Sequence, residues 1–413
     1  MKKKVAVLLV AAMTLGLVAC GSSADQAENQ TEDAAVQTEA AEETVEGNNE
    51  LHKIGVMVYN LTDEEVLDRK KYLEGYIEDC FDVDFIYSAA IESEEDALTF
   101  IQNVADAGAE GIISFNTHDI EKEVELCEAN EIYYMMGSET IHEDKFNAVC
   151  DNPWFLGVVG PGEEAEYNAG VEMAQYFLDQ DYGKNYFILL GGAPIGNEMH
   201  RQRAMGILDT FAASAGVEFP EETEAISASG EITHLEIGEY TLCLVPGYVQ
   251  IPDVAEKAAA EYAEDQYDCV ISVYNGSVLA DELKGAHVGI VDCFSEQNML
   301  YFNNDQLDYV TGKYGSIIGP SFAAMYNAIT GHADMLREDG KAFQITQGFW
   351  TSTDKEDYEK KYMVASSVEI QAYNYEDLRN VCVEFNENAT LDDLKALAEA
   401  YTYEDVCARR GIE

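Results

Sequence analysis

Short apolar runs rich in β-branched and aromatic residues punctuate this chain, and their spacing restricts the fold more than any other feature. They occupy residues 54–58 (IGVMV), 83–87 (VDFIY), 112–115 (IISF), 132–136 (IYYMM), 186–190 (YFILL), 242–245 (LCLV), 269–273 (CVISV) and 288–292 (VGIVD). The runs are continuous rather than alternating, the pattern of strands covered by helices on both faces and hence of parallel sheets. Helical patterns lie between them. One starts at Ser93, with Asp96 three residues on as a capping partner, sets Ala97, Ile101, Val104 and Ala105 on one face, and stops at Gly108. Another carries Tyr167, Gly170, Val171, Ala174, Phe177 and Leu178 at helical spacing. Both stripes read as core. The alternation predicts an α/β protein built of doubly wound parallel sheets, whose ligands bind beyond the carboxyl ends of the strands.

Composition agrees with a folded chain and narrows its partners. Of 413 residues 47% are hydrophobic and 10% aromatic, enough to bury a core, and the length suits two domains. The formal charge is −55, from 79 acidic against 24 basic side chains. Such a field repels a phosphate backbone, and no basic patch offsets it, so nucleic acid is excluded as a partner. Neutral or cationic solutes are the easier ligands.

The first fifty residues are expected to lie outside the fold. Lys2, Lys3 and Lys4 precede an apolar run from Val5 to Ala19, too short and interrupted to span a bilayer comfortably, so residues 1–19 read as a signal peptide. Its end, Leu17-Val18-Ala19-Cys20, looks like a bacterial lipobox, which implies lipidation of Cys20; an ordinary cleavable signal with an incidental cysteine is the alternative. Residues 20–50 form an acidic tether without aromatic or basic residues, unable to bury enough surface to order itself. Lipid anchoring would hold the protein outside the cytoplasm at a membrane surface.

Cysteine usage points to no metal. Setting Cys20 aside, Cys80, Cys127, Cys150, Cys243, Cys269, Cys293, Cys382 and Cys407 show no CxxC and no metal-ligand spacing. An even number permits disulfides in an exported chain, yet Cys243, Cys269 and Cys293 sit in or at the ends of apolar runs, which favours mostly unpaired thiols. Enzyme signatures are missing too. There is no HExxH, no GxSxG and no convincing Cys/His or Ser/His pairing among the seven histidines, and the glycines of 191–196 form no dinucleotide fingerprint. Neither catalysis nor a cofactor is expected.

Several strands end in polar residues. IGVMV is followed by Tyr59-Asn60-Leu61-Thr62-Asp63, IISF by Asn116-Thr117-His118-Asp119, and YFILL by the Gly191–Gly196 turn and then Arg203-Ala204-Met205-Gly206. CVISV runs into Tyr274-Asn275-Gly276, VGIV ends at Asp292, and Lys313 follows Tyr309-Val310-Thr311-Gly312. In this order, behind a lipobox-like leader, they resemble the substrate-binding lipoproteins of bacterial ABC transporters. The match is to the type 1 periplasmic-binding-protein group that includes ribose- and galactose-binding proteins, from about Lys53 to about Thr330.

The resemblance implies two doubly wound, Rossmann-like lobes joined by a three-stranded hinge, with the ligand cleft between them. The first lobe would comprise residues 51–157 plus 314–348, and the second 158–313 plus 349–413 with an extended tail. It further implies a monomer that captures a small polar solute, a sugar first of all, by hinge closure and delivers it to an ABC permease; a sensor of the same fold signalling to a histidine kinase or chemoreceptor is the alternative. Asn116, Asp119, Asn275 and Asp292 take the family's ligand-binding places, and Arg203 its matching arginine. The family's aromatic residues after the first strand are absent, leaving Tyr59 and Asp63 near that place. Lys313 stands where a glutamine is usual. From the residues themselves, Tyr59 can instead be strand-end packing, Asp119 a helix cap, Arg203 an ion-pair partner of a carboxylate and Lys313 a partner of Asp292.

Overall fold

The computed structural model describes residues 51–219, 221–279, 282–365 and 370–412. The leader, Cys20 and the tether lie outside these. All eight apolar runs are strands. In chain order they and five further segments give β1 (His52–Val58), β2 (Val83–Ala90), β3 (Gly111–Ser114), β4 (Tyr133–Gly137), β5 (Phe155–Gly160), β6 (Asn185–Gly191), β7 (Thr233–Ile237), β8 (Tyr240–Pro246), β9 (Cys269–Ser272), β10 (His287–Val291), β11 (Tyr309–Gly312), β12 (Phe343–Thr346) and β13 (Trp350–Ser352).

They form two sheets. The first is wholly parallel, in the order β12-β5-β4-β3-β1-β2; the second runs β13-β11-β10-β9-β6-β8-β7 with its two edge strands antiparallel. The orders β2-β1-β3-β4-β5 and β8-β6-β9-β10-β11 are the same winding repeated. In each the chain moves outward from its first strand, returns to that strand's other side and continues. This creates a topological switch point beside β1 and another beside β6, the places where a doubly wound sheet opens a crevice at its carboxyl edge. From strand to strand the chain passes between the sheets three times, after β5, after β11 and after β12.

Local signals set the helices as read. Ser93 caps Glu94–Asp106 by accepting from the Asp96 amide, Ala97, Ile101 and Val104 are buried, and Gly108 follows the helix at φ 80°, a left-handed value that glycine adopts without strain. The long helix Gly162–Gln180 buries Gly170, Ala174 and Phe177 against Glu198–Ala215 and the second sheet. Two glycines bring these helices into backbone contact. A Cβ at Gly170 would lie 2.0 Å from the Arg203 carbonyl oxygen, and one at Gly206 2.1 Å from that of Tyr167. The Gly206 of the R-x-x-G pattern therefore serves helix packing.

The tail departs from expectation. Helices Tyr375–Asn380 and Leu391–Glu399 pack on Gly319–Asn327, which itself covers β3, β4 and β5, so this part of the tail belongs with the first sheet and not the second lobe, while Tyr403 beyond it packs on Trp350 of β13. Burial of Leu378, Leu394 and Ala398 drives this placement. Hydrogen bonds fix it: Tyr72 donates to the Tyr373 carbonyl at 2.7 Å, and the Asn327 amide to the Val381 carbonyl at 2.9 Å. Continuation of β5 to Gly160 also carries the first lobe past residue 157. The eight cysteines from Cys80 to Cys407 are all free. Among the described residues no helix is long and apolar enough to cross a membrane.

Candidate functional site

Polar side chains collect where the carboxyl ends of the two sheets meet. At the end of β1, the Tyr59 hydroxyl donates to Asp63 Oδ1 at 3.0 Å, and the same oxygen caps the helix Glu64–Tyr72 by accepting from the amides of Glu65 (3.0 Å) and Val66 (3.4 Å). Burial and the nearby Glu65 carboxylate raise the Asp63 carboxyl above its usual range. After β3, Asn116 presents a buried Oδ1 without a hydrogen-bond partner. A buried acceptor left empty is costly unless something fills it, so Asn116 is the predicted residue most in need of a ligand or water.

Across from these, Asp292 ends β10. The Asn298 amide donates to its Oδ2 at 2.5 Å. Burial raises the Asp292 carboxyl well above the ordinary range despite that bond, and the Asp63 and Glu65 carboxylates of the first lobe push it further. Carboxyl groups from both lobes therefore crowd together here, which favours the protonated form of Asp292. Lys313 reaches across from the end of β11: its Nζ donates to the Ser138 carbonyl at 2.5 Å and stands 3.9 Å from Glu65 Oε1. Its acidic partner is Glu65 and not Asp292.

Three predicted residues serve the fold more than an open cleft. Asp119 caps Ile120–Ala129, accepting from the Lys122 amide at 3.4 Å and pairing with the Lys122 ammonium at 3.0 Å. Asn275 turns its Oδ1 back to the amide (3.1 Å) and hydroxyl (2.6 Å) of Ser277. Arg203 is 5% exposed, with Nε 2.5 Å from Glu166 Oε2 and a terminal nitrogen donating to the Val273 carbonyl at 2.7 Å. Its guanidinium also lies over Phe349, 5.5 Å from the ring centre. Helix contact through Gly170 and Gly206 sets Arg203 beside Glu166, whose other oxygen accepts from Thr140 at 3.1 Å.

The charges at the centre, Arg69 and Glu139, are not among the predicted residues. Arg69, fully buried, pairs with Glu65, donates to Ser138 Oγ at 3.0 Å and lies 3.7 Å from Glu139, with its face 4.5 Å from the Phe115 ring centre. Burial alone would lower its pKa; the carboxylates of Glu65 and Glu139 outweigh that and raise it. Glu139 is 5% exposed, and burial pushes its carboxyl up to about 7 although Lys313 and Arg69 pull the other way. A signal for Arg69 and for Glu166, though not for Glu139, is present in the sequence. Arg69 lies on the stripe Val66, Arg69, Leu73, and Glu166 on the stripe Glu166, Gly170, Ala174, so each is a charge on an otherwise core-facing line.

A cavity of about 520 Å³ opens beside the first crossing, at the ends of β4, β5 and β12, lined by Glu139, Phe146, Glu163, Asn168, Gln344 and Thr346 among others. None of the eight predicted residues lines it. Topology favours the switch points over this cavity as the binding crevice, and Glu139 is where the two regions meet.

No protein-family model and no curated protein matches the sequence. Solved structures do match. A solute-binding protein of an ABC transporter from Bacillus halodurans C-125, with bound myo-inositol, aligns at a TM-score of 0.55 and 15% identity over 76% of this chain and 99% of its own. An ABC transporter periplasmic solute-binding protein from Actinobacillus succinogenes 130z, with D-allose, aligns at 0.55 and 13% identity over 75% and 99%. The periplasmic component of the arabinose transporter of Shewanella sp. ANA-3, bound to L-arabinofuranose, aligns at 0.53 and 13% over 75% and 94%. This chain has the type 1 periplasmic binding protein fold. Nearly the whole of each solute-binding protein is matched, while about a quarter of this chain falls outside the overlap.

Proposed function

We propose that the protein is an extracytoplasmic solute-binding lipoprotein that captures a sugar or related small polar solute between its lobes and delivers it to an ABC permease. In this reading residues 1–19 are a cleaved signal, lipidated Cys20 anchors the chain, and residues 20–50 tether it to the membrane. The reading rests above all on the repeated winding of the two sheets, with one switch point between β1 and β3, the strand that Asn116 follows, and the other between β6 and β9, the neighbour of the strand that Asp292 follows. Proteins of this fold with bound inositol, allose and arabinofuranose support a polyol ligand.

Asn116 from the first lobe and Asp292 from the second are the proposed principal contacts, with Tyr59, Asn275 and Lys313 at their margins. A neutral polyol suits them, because its hydroxyls can donate to the Asn116 acceptor, exchange hydrogen bonds with the Asp292 carboxyl, and bring no further negative charge to the crowded carboxyl groups. Contacts from both lobes are completed only when the cleft is shut, so ligand shifts the population toward closure. A thermal-shift panel of pentoses, hexoses and inositols tests this. At a hundred times its dissociation constant one of them should stabilise the protein by about 2.7 kcal/mol, read as a rise of several degrees in Tm. Asp292→Asn and Asn116→Ala should each abolish the rise. If no neutral polyol moves Tm, the sugar assignment fails.

A further inference from the structure

The fold brings together three metal-ligating side chains that the sequence keeps apart. His234 on the edge strand β7 and Cys243 on β8 are directly opposed in the antiparallel register, and Glu261 approaches them from the helix Pro252–Glu264. His234 Nε2 lies 3.0 Å from Glu261 Oε1, and the imidazole nitrogen, thiol sulfur and carboxylate oxygen all fall within 4.8 Å of one another. The spacings of 9 and 18 residues match no sequence motif, so only strand register and helix packing reveal the cluster.

We propose that His234, Cys243 and Glu261 bind a zinc ion. Thiolate, imidazole and carboxylate together are a donor set that zinc accepts in a tetrahedral shell, with water in the fourth position. Donors in such a shell stand roughly 3.3–3.6 Å apart, so the present positions need only small contraction. The surroundings suit a cation. The Asp265 carboxylate adds negative potential at Cys243, and the Tyr267 hydroxyl is within hydrogen-bonding reach of the Cys243 sulfur, a second contact behind the ligand. On binding, the sulfur–zinc bond forms as the thiol proton leaves to solvent. Cys243 is fully buried, Glu261 half-buried and His234 exposed, which gives a rigid inner ligand and an entry side.

A second cluster, His142, Glu163 and Glu198, has comparable spacing but the wrong chemistry. His142 Nδ1 accepts from the Asp144 amide at 3.2 Å. Zinc on Nε2 would put a proton on Nδ1 and set it against that amide proton. His234 and Cys243 carry no such conflict in their bonds to Glu261 and Tyr267.

Zinc here would tie the edge strand β7 to β8 and to the helix above, independently of any solute in the cleft. Titrating the reduced, metal-free protein with cobalt(II) chloride tests the site. One equivalent should produce a near-ultraviolet thiolate charge-transfer band with intense visible bands of tetrahedral cobalt, and zinc chloride should bleach both. Cys243→Ser should remove the charge-transfer band. His234→Ala, at an exposed position where folding is retained, and Glu261→Gln should each weaken binding at least tenfold. Absence of the thiolate band, its persistence in Cys243→Ser, or unchanged affinity in both other variants would overturn the proposal.

Discussion

Replacing Arg203 with alanine separates two roles that the sequence alone leaves open. Its guanidinium is held by Glu166, which is fully buried, and by the Val273 carbonyl. Arg203→Ala would leave the Glu166 carboxylate buried beside only the Thr140 hydroxyl. Breaking such a pair from one side costs about 3–5 kcal/mol, a large part of the roughly 5–15 kcal/mol that holds a typical domain folded. Exchanging both ions for apolar residues of similar volume is close to neutral, so Arg203→Met with Glu166→Leu should recover most of the loss. Urea unfolding at pH 7 without any sugar reads both numbers from the midpoints at constant slope. A ligand-contact arginine gives another pattern, with stability unchanged and only the sugar-induced shift lost. The buried-pair reasoning is refuted by a loss in Arg203→Ala below about 1 kcal/mol, or by a double variant no more stable than the single one.

Glu139 and Asp119 supply two simpler measurements. Burial raises the Glu139 carboxyl from its ordinary value to about 7, so the folded state holds a proton there that the unfolded chain gives up near pH 4.5. Its stabilising contribution is complete below pH 4.5 and is lost as pH rises through 7, with a span of about 3 kcal/mol. Glu139→Gln should flatten this stretch of the stability–pH curve, and an unchanged slope would contradict the shift. Asp119→Ala should lower stability by about 1 kcal/mol through loss of the helix cap. Sugar affinity, read by calorimetry, should stay the same, in contrast to Asp292→Asn.

Strand positions were legible wherever two-sided burial wrote a continuous apolar run. The missed strands lacked that mark. β5 (FLGVVG) carries two glycines, β7 (THLEI) alternates because it is an edge, β12 (FQIT) alternates likewise, β11 (YVTG) has only one aliphatic residue, and β13 is three residues long. At the site, sequence located the strand ends but not the direction of each side chain. Asp63 and Asp119 both precede helices, and an aspartate there caps its own helix as readily as it faces a cleft. Arg203 was visible as an unusual arginine, while its partner Glu166, on an apolar stripe far away in sequence, was not.

The position of the tail makes the hinge optically addressable. The Tyr401 carbonyl accepts from the Trp350 indole nitrogen at 2.8 Å and from the Tyr314 hydroxyl at 3.1 Å, so one tail residue is bonded to segments beside the second and third crossings. Trp350 also stacks on Tyr314, with ring centres 4.0 Å apart. Relative movement of the lobes would strain this junction and change the indole's polarity and quenching. The chain has just two tryptophans, and the other, Trp154, precedes β5 at the start of that strand in the first sheet. Intrinsic emission from Trp350 thus offers a label-free reading of lobe movement, with Trp154→Phe clearing the background.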